Sequence, residues 1–174
     1  AIEEALLKAV AADPNIEILE HHFAIDLITK AKAKTLLENQ DDSIIGIYVY
    51  DTKNNVVKTM KTPVVMLATG GTGCVYLYTT NPEIATGDGI AMCHRAKAIT
   101  ENMEFIQFHP TSLYHPAEKP NFLITEAMRG YGAILRLQNG EEFMDKYHPM
   151  KSLAPRDVTA RAIYTEMTRR GEDF

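Results

Sequence analysis

The first part of the chain changes its hydrophobic period from helical to alternating. Apolar residues recur at helical spacing from Ala5 to Val10, and the helix-breaking run Asp13-Pro14-Asn15 follows them. The short apolar segment 16–19 predicts a strand, and the partly alternating segment 23–29 predicts a second one. The chain is therefore expected to open with a helix and two strands.

The next segments predict an antiparallel hairpin and then a strand of a different kind. Residues 44–50 and 56–61 flank a turn-rich stretch, which is the pattern of a β-hairpin. The run 64–67 is apolar throughout, and such a run is typical of a parallel strand buried on both faces. Together these segments predict an α/β fold, of mixed α+β character, with an antiparallel β insert.

The second part predicts shorter and less regular elements. They are a helix at 90–98, a strand at 102–108, a strand turning into a helix at 123–129, a hairpin around Asn139-Gly140, and a helix from Pro155 to Gly171. The pattern changes near residues 105–110, so we predict two regions, 1–107 and 108–174.

Composition and charge exclude several classes of protein. The chain has 174 residues, of which 45% are hydrophobic and 24% are charged, as in ordinary soluble domains. Its net charge of -5 disfavours nucleic-acid binding through overall charge. No apolar run approaches the roughly 20 residues that cross a bilayer, and no signal peptide is apparent. Cys74 and Cys93 lack the spacing of a metal site and are expected to be reduced thiols, as in a cytoplasmic protein.

Glycines follow the apolar run 64–67 and suggest a cofactor. Thr69-Gly70-Gly71 comes where the backbone of an α/β sheet approaches a ligand, although a tight turn without a ligand explains the glycines equally well. No GxGxxG motif is present. Asp88 starts a predicted helix between two glycines; it either complements the helix dipole or accepts hydrogen bonds from ribose hydroxyls, and the flanking glycines favour the second interpretation.

Polar side chains of the second part suggest a pocket for an anion. Gln107 and His109 share one face of the predicted strand, which Pro110 ends. A histidine in such a place is usually structural, but a glutamine and a histidine on one face more often line a pocket.

Two arginines strengthen that interpretation. Thr125, Glu126 and Arg129 lie three to four residues apart at a predicted helix, where the simplest explanation is a local salt bridge. Arg156 lies in the first turn of the last helix, where a cation opposes the helix dipole; such conflicts occur mostly at functional sites. A cationic, hydroxyl-rich pocket predicts an anionic substrate.

Together, these residues resemble the flavoprotein family of fumarate reductases, succinate dehydrogenase flavoprotein subunits and L-aspartate oxidases. The resemblance covers essentially the whole chain. The matching motifs are Ala68-Thr-Gly-Gly71, Thr79-Thr-Asn-Pro82, Thr86-Gly-Asp-Gly-Ile-Ala91, Glu104-Phe-Ile-Gln-Phe-His-Pro-Thr111, Leu123-Ile-Thr-Glu-Ala-Met-Arg-Gly130 and Leu153-Ala-Pro-Arg-Asp-Val158.

Three stretches resemble the L-aspartate oxidase branch in particular. They are Ser112-Leu-Tyr-His-Pro116, Thr125-Glu-Ala-Met-Arg-Gly-Tyr-Gly132 and Ala154-Pro-Arg-Asp-Val-Thr-Ala-Arg-Ala162. The alternatives are a fumarate reductase or succinate dehydrogenase subunit, and a binding module that kept the fold without the chemistry. The intact polar residues of the pocket disfavour the binding module.

The resemblance implies roles for individual residues. Arg156 matches the arginine that exchanges a proton with substrate, and Glu126 and Arg129 match its proton path. Because guanidinium is normally always protonated, Arg156 either depends on that relay or acts only electrostatically. The implied substrate-binding residues are His109, Thr125 and Gln107. The implied cofactor-binding residues are Phe23, Ala24, Thr69, Gly70, Gly71 and Asp88.

The resemblance also implies the reaction and its setting. The expected activity is FAD-dependent oxidation of L-aspartate to iminoaspartate, the first step of de novo NAD biosynthesis, with oxygen or fumarate as electron acceptor. FAD is expected to be bound non-covalently, with quinolinate synthase as a pathway partner, in the cytoplasm. Residues 1–107 would be part of a Rossmann-like FAD-binding domain and residues 108–174 part of a capping domain. The chain would be an internal fragment that alone neither binds FAD tightly nor turns over.

Overall fold

The computed structural model describes residues 2–35, 37–38 and 41–173. The chain divides into two compact units. The first comprises residues 1–68 and 89–99, and the second comprises residues 69–88 and 100–174. The predicted boundary at residue 107 was drawn from the sequence pattern and stays a prediction.

The first unit is a helix followed by a three-stranded antiparallel sheet. Its elements are helix α1 (Ile2–Ala12) and strands β1 (His22–Thr29), β2 (Ile44–Asp51) and β3 (Val56–Lys61). Helix α2 (Asp88–Arg95) also belongs to this unit, except for its first residue. The strands pair in the order β1-β2-β3. The predicted mixed α/β class with an antiparallel sheet is therefore confirmed.

Strand register brings polar residues together at one end of this sheet. His22 in β1 pairs with Asp51 in β2, which pairs with Val56 in β3. The buried Asp51 carboxylate accepts a 2.6 Å hydrogen bond from Nζ of Lys58 and a 2.8 Å bond from Nδ2 of Asn54. The β2–β3 turn is thus fixed by one carboxylate.

Helix α2 is linked to β1 by an ion pair. Nε of Arg95 donates to Asp26 over 3.1 Å, and Nζ of Lys32 donates to the other oxygen of the same carboxylate over 2.8 Å. Leu27, Val49 and Met92 are buried in this unit. Burial of such side chains is the main favourable term in folding.

The second unit packs short helices and turns around a small core. Its helices are α3 (Ala127–Gly130) and α4 (Arg156–Arg170), with 3-10 turns at Gly73–Val75, Met144–Lys146 and Lys151–Leu153. Its core consists of Leu137, Phe143, Met144, Ala154 and Ala162. Helix α4 forms one side of this core.

The ends of α4 agree with the sequence signals. Pro155 precedes its first residue, and Gly171 follows its last with a φ of 66°. Glycine adopts this left-handed conformation without the steric cost that other residues bear. The predicted helix between Pro155 and Gly171 is confirmed.

Three predicted strands are wrong. Residues 16–19, 64–67 and 102–108 form no strand, and Val64 and Met66 are exposed rather than buried. A strand forms only where a second strand accepts its backbone hydrogen bonds, and none of the described strands pairs with these segments. The hairpin around Asn139-Gly140 is reduced to a single bridge between Arg136 and Glu142.

The helix predicted at 90–98 begins and ends earlier, at Asp88 and Arg95. Lys97 has a φ of 60°, which right-handed helical backbone does not adopt. In the part of the chain that the structure describes, no helix combines the length and the apolar composition needed to cross a membrane.

Candidate functional site

A short antiparallel contact in the second unit aligns two of the predicted site segments. Ser112 and Leu123 form a β-bridge, and the N–H of Leu113 donates to the carbonyl of Phe122 over 2.8 Å. The hydroxyl of Thr111 donates to the carbonyl of Ile124 over 3.0 Å. The segment that follows His109 is thereby held beside the segment that leads to Thr125.

Gln107 and His109 line one cavity of about 260 Å³, although no strand carries them. Nδ1 of His109 lies 2.9 Å from the carbonyl oxygen of Thr111, and in the tautomer that donates this hydrogen bond Nε2 is an acceptor. The other lining residues are mostly glycines, hydroxyl residues and aromatic rings: Gly71, Thr72, Gly73, Tyr76, Tyr78, Thr79, Thr80, Asn81, Phe105, Ile106, Phe108 and Ser112.

The start of α3 presents Thr125 and Glu126. The hydroxyl of Thr125 accepts a 3.3 Å hydrogen bond from the N–H of Ala127, and Glu126 occupies the N-cap position. Both side chains therefore project from one turn of backbone. Thr125 is exposed and Glu126 is partly buried.

Glu126 and Arg156 form an ion pair between residues 30 positions apart in the sequence. Nε of Arg156 donates over 2.8 Å and Nη2 lies at 2.7 Å, both to the Oε2 atom of Glu126. The carboxylate offsets the unfavourable position of a cation in the first turn of α4. The arginine side chain stays 45% exposed, so its cationic face remains accessible to an anion.

Arg129 lies on the other side of Glu126 and is almost fully buried, at 4% exposure. Its Nη2 is 3.5 Å from Oε1 of Glu126, and its Nη1 donates to the carbonyl oxygen of Ser152 over 3.0 Å. Within the described ranges, Nε and Nη2 have no hydrogen-bond partner. Glu126 thus has one oxygen toward Arg156 and the other toward Arg129.

The electrostatics of this cluster keep Glu126 ionised. The hydrogen bond from Arg156 lowers the pKa of Glu126, partial burial opposes that effect, and the charges of Arg156, Arg129 and His109 lower the pKa further. A carboxylate held ionised between two guanidinium groups stabilises the charge of both. The structure therefore brings together Arg156, Glu126, Arg129 and His109.

The predicted cofactor residues Thr69, Gly70 and Gly71 lie in exposed backbone of the same unit. Gly70 has a φ of 72°, and a Cβ atom built at Gly70 or Gly71 would meet nothing within 4 Å. The open side of this segment leaves room for a ligand beside the backbone, as an FAD contact would require.

Asp88 has a local partner in the second unit. Its carboxylate accepts a 2.8 Å hydrogen bond from the hydroxyl of Thr86. A Cβ atom at Gly87 would lie 2.5 Å from a methyl carbon of Thr72, and Gly87 has a φ of 81°. Close packing against Thr72 therefore explains the glycine at position 87 without a ligand. The cofactor role of Asp88 stays a prediction.

Phe23 and Ala24 belong to the first unit, in β1. Phe23 is 53% exposed and Ala24 is partly buried. They pair with Tyr50 and Val49 of β2. Their contact with a cofactor stays a prediction.

A larger cavity of about 610 Å³ lies beside the first one in the second unit, and the two share Tyr78 as a lining residue. Tyr78, Tyr114 and the buried Glu166 are among its lining residues, and Glu166 accepts a 2.7 Å hydrogen bond from the hydroxyl of Tyr147. Nothing in the sequence pattern indicated this cavity. Ser152 was missed as well, because its contacts are 17 and 23 residues away and no local spacing reveals them.

Comparison with known protein families gives one match over nearly the full length. The family described as FAD binding domain matches residues 1–173. An L-aspartate oxidase of Ralstonia nicotianae is 54% identical over 99% of the chain, and one of Acinetobacter baylyi is 50% identical over 98%. The aligned regions are 32% and 31% of those proteins, so the chain spans about a third of the relatives it matches.

Solved structures give the same picture. The FrdA chain of an E. coli quinol fumarate reductase is 27% identical, with a TM-score of 0.76 over 97% of this chain and 28% of its own length. A chain of Mycobacterium smegmatis Sdh1 is 32% identical, with a TM-score of 0.59. The resemblance to this group of flavoproteins, and to L-aspartate oxidases within it, is therefore confirmed, as is the prediction of FAD as cofactor.

Proposed function

Because this chain belongs to the family of FAD binding domains, we propose that it is part of an FAD-dependent L-aspartate oxidase. The enzyme would oxidise L-aspartate to iminoaspartate, the first step of de novo NAD biosynthesis, with oxygen or fumarate as electron acceptor. About half of the residues are identical to those of L-aspartate oxidases over nearly the whole chain, and this identity supports the proposed activity.

The observation that carries the proposal is the pairing of Arg156 with Glu126. The two hydrogen-bonding nitrogens of Arg156 lie 2.7 and 2.8 Å from one carboxylate oxygen, while the side chain remains half exposed. A guanidinium oriented in this way binds a substrate carboxylate and holds it in one position. A dicarboxylic amino acid is a substrate that such a group recognises.

In this proposal Arg156 exchanges a proton with the substrate. Because guanidinium is normally protonated, a proton that Arg156 gives up or takes must pass along a relay, and the Glu126 carboxylate, with one oxygen beside Arg156 and the other beside Arg129, is placed to pass it between them. Arg129, on the far side of Glu126, continues the path. His109, Thr125 and Gln107 would bind and orient the substrate.

FAD, when bound, supplies the two-electron oxidation that no protein side chain provides. The backbone at Thr69, Gly70 and Gly71 would contact it on the open side of that segment, and Asp88 would accept hydrogen bonds from its ribose. Phe23 and Ala24 would lie near its adenosine part. The proposed binding is non-covalent, the proposed location is the cytoplasm, and the proposed pathway partner is quinolinate synthase.

The competing candidate is a fumarate reductase or succinate dehydrogenase flavoprotein subunit, which the structural similarity to quinol fumarate reductase favours. The two candidates differ in substrate. We expect the full-length protein loaded with FAD to release hydrogen peroxide with L-aspartate and much less with succinate. Equal or preferred use of succinate would reject L-aspartate oxidation and leave the second candidate.

A further inference from the structure

Ser152 lies between Arg129 and Arg156 in the sequence and is buried, with 7% of its surface exposed. Its carbonyl oxygen accepts the 3.0 Å hydrogen bond from Nη1 of Arg129. Its hydroxyl oxygen accepts a 3.1 Å hydrogen bond from the N–H of Leu135. One residue therefore binds the buried guanidinium and is itself anchored to another segment.

The 3-10 turn that carries Ser152 leads directly into α4. The N–H of Ala154 donates to the carbonyl of Lys151 over 3.0 Å, and the buried Thr159 hydroxyl donates to the carbonyl of Ala154 over 3.2 Å. Arg156 follows two residues later. The Ser152 hydroxyl, through its hydrogen bond with Leu135, thus holds this turn in place. The turn connects the carbonyl that binds Arg129 to the helix start that carries Arg156.

Arg129 needs an orienting contact because little else holds its head group. Nε and Nη2 are buried without a hydrogen bond to any described residue, and Nη2 is 3.5 Å from Oε1 of Glu126, with no hydrogen bond formed. Within the described residues, the Nη1 bond to Ser152 is the hydrogen bond that orients the guanidinium. A rotation of that plane would carry Nη2 away from Glu126.

We propose that Ser152 is a positioning residue that keeps Nη2 of Arg129 beside Glu126. This inference rests on the proposed function, because the arrangement affects turnover only if Glu126 and Arg156 handle the substrate proton. Ser152 itself touches neither substrate nor cofactor in this proposal. It acts through Arg129.

The test uses the full-length enzyme with bound FAD and the variant Ser152→Ala. The groups that face Glu126 are Arg156, Arg129 and His109. When Arg129 moves away, the pKa of Glu126 rises, so the acid limb of kcat/KM against pH should move to higher pH. Ser152→Ala keeps the carbonyl that binds Arg129 but loses the hydroxyl that anchors the turn to Leu135. We therefore also expect kcat to fall roughly five- to tenfold, with KM changed less than about twofold.

A matched control and a second background make the test specific. Ser43→Ala makes the same chemical change at an exposed position of the first unit and should leave the profile unchanged. In an Arg129→Gln background, Ser152→Ala should add no further shift, because the group through which it acts is gone. If Ser152→Ala loses its fold, Ser152→Cys replaces the hydroxyl with a weak acceptor and should shift the limb in the same direction.

The outcomes separate the two proposals. An unshifted limb with normal kcat in Ser152→Ala overturns the role of Ser152, and so does an equal shift in the Arg129→Gln background. A wild-type enzyme that does not oxidise L-aspartate rejects the proposed function instead, whatever the variants do.

Discussion

Arg156 occupies a position that helix electrostatics disfavour, and its ion pair with Glu126 gives the reason it is tolerated. The first turn of a helix carries partial positive charge, so a cation there is destabilising unless an anion lies beside it. Glu126 supplies that anion over 2.7 Å. The pair therefore stabilises the helix start and keeps a guanidinium oriented at the proposed active site.

Substitution of Arg156 by lysine should separate binding from turnover. We expect Arg156→Lys to keep part of its substrate affinity and to lose roughly two to three orders of magnitude in kcat, because lysine retains the charge but not the planar fork. Steady-state kinetics with L-aspartate in the full-length enzyme measures both. Arg161→Lys, on the exposed side of the same helix, is the control; retained turnover in Arg156→Lys would remove its catalytic role.

At the scale of elements, the sequence predicts correctly those helices and strands whose signals are local along the chain. The hairpin of β2 and β3 and helix α4 are predicted correctly because their signals are local: a turn between alternating runs, a proline before the helix and a glycine after it. The segment 64–67 was predicted as a buried strand and is exposed coil, because pairing partners are not encoded in its own residues.

In the candidate site, too, local contacts could be predicted from the sequence and long-range contacts could not. A pocket at Gln107 and His109 was predicted from a strand that does not form, yet both residues line one cavity. The pair of Glu126 and Arg129 follows from helical spacing. Neither the pair of Glu126 with Arg156 nor the contact of Arg129 with Ser152 could be predicted from spacing, because folding of distant segments creates them.

Asp51 makes the hairpin sensitive to acid. The hydrogen bond from Lys58 lowers its pKa most, and bonds from the side chain and backbone of Asn54 lower it further. Since the folded pKa lies below the unfolded value of about 3.9, Asp51 contributes its full stabilisation above that pH and loses it as pH falls toward the folded pKa.

Asp51→Asn should therefore destabilise the full-length protein near neutral pH, and the difference from wild type should shrink below about pH 3.9. Thermal unfolding followed from pH 7 downward measures this difference. Asp41→Asn, at an exposed position, controls for the loss of one negative charge. A difference that stays constant across the pH range would contradict this account of Asp51.

At the scale of the whole molecule, many large apolar side chains are exposed to solvent. Exposed fractions reach 81% for Ile2, 89% for Met66 and 88% for Ile99. Monomeric soluble proteins rarely leave so many large apolar side chains almost fully exposed. The relatives that the chain matches are about three times as long, and contacts with further protein would cover such residues.

We expect the isolated chain to self-associate, to bind a hydrophobic dye, and to carry no flavin. Size-exclusion chromatography, dye fluorescence and visible absorbance after incubation with FAD test these three expectations. The full-length protein, treated identically, is the reference. A monomeric isolated chain with a flavin absorbance band and L-aspartate-dependent peroxide release would contradict the prediction.

The carboxylate of Glu126 also limits how this site can change during evolution. One of its oxygens faces Arg156 and the other faces Arg129. Glutamine would turn an amide N–H group toward one of two guanidinium donors, and aspartate is one methylene too short to keep both contacts. A substitution at position 126 alone is therefore expected to be deleterious unless an arginine changes at the same time. Across related proteins, substitutions at positions 126, 129 and 156 should therefore occur together rather than singly.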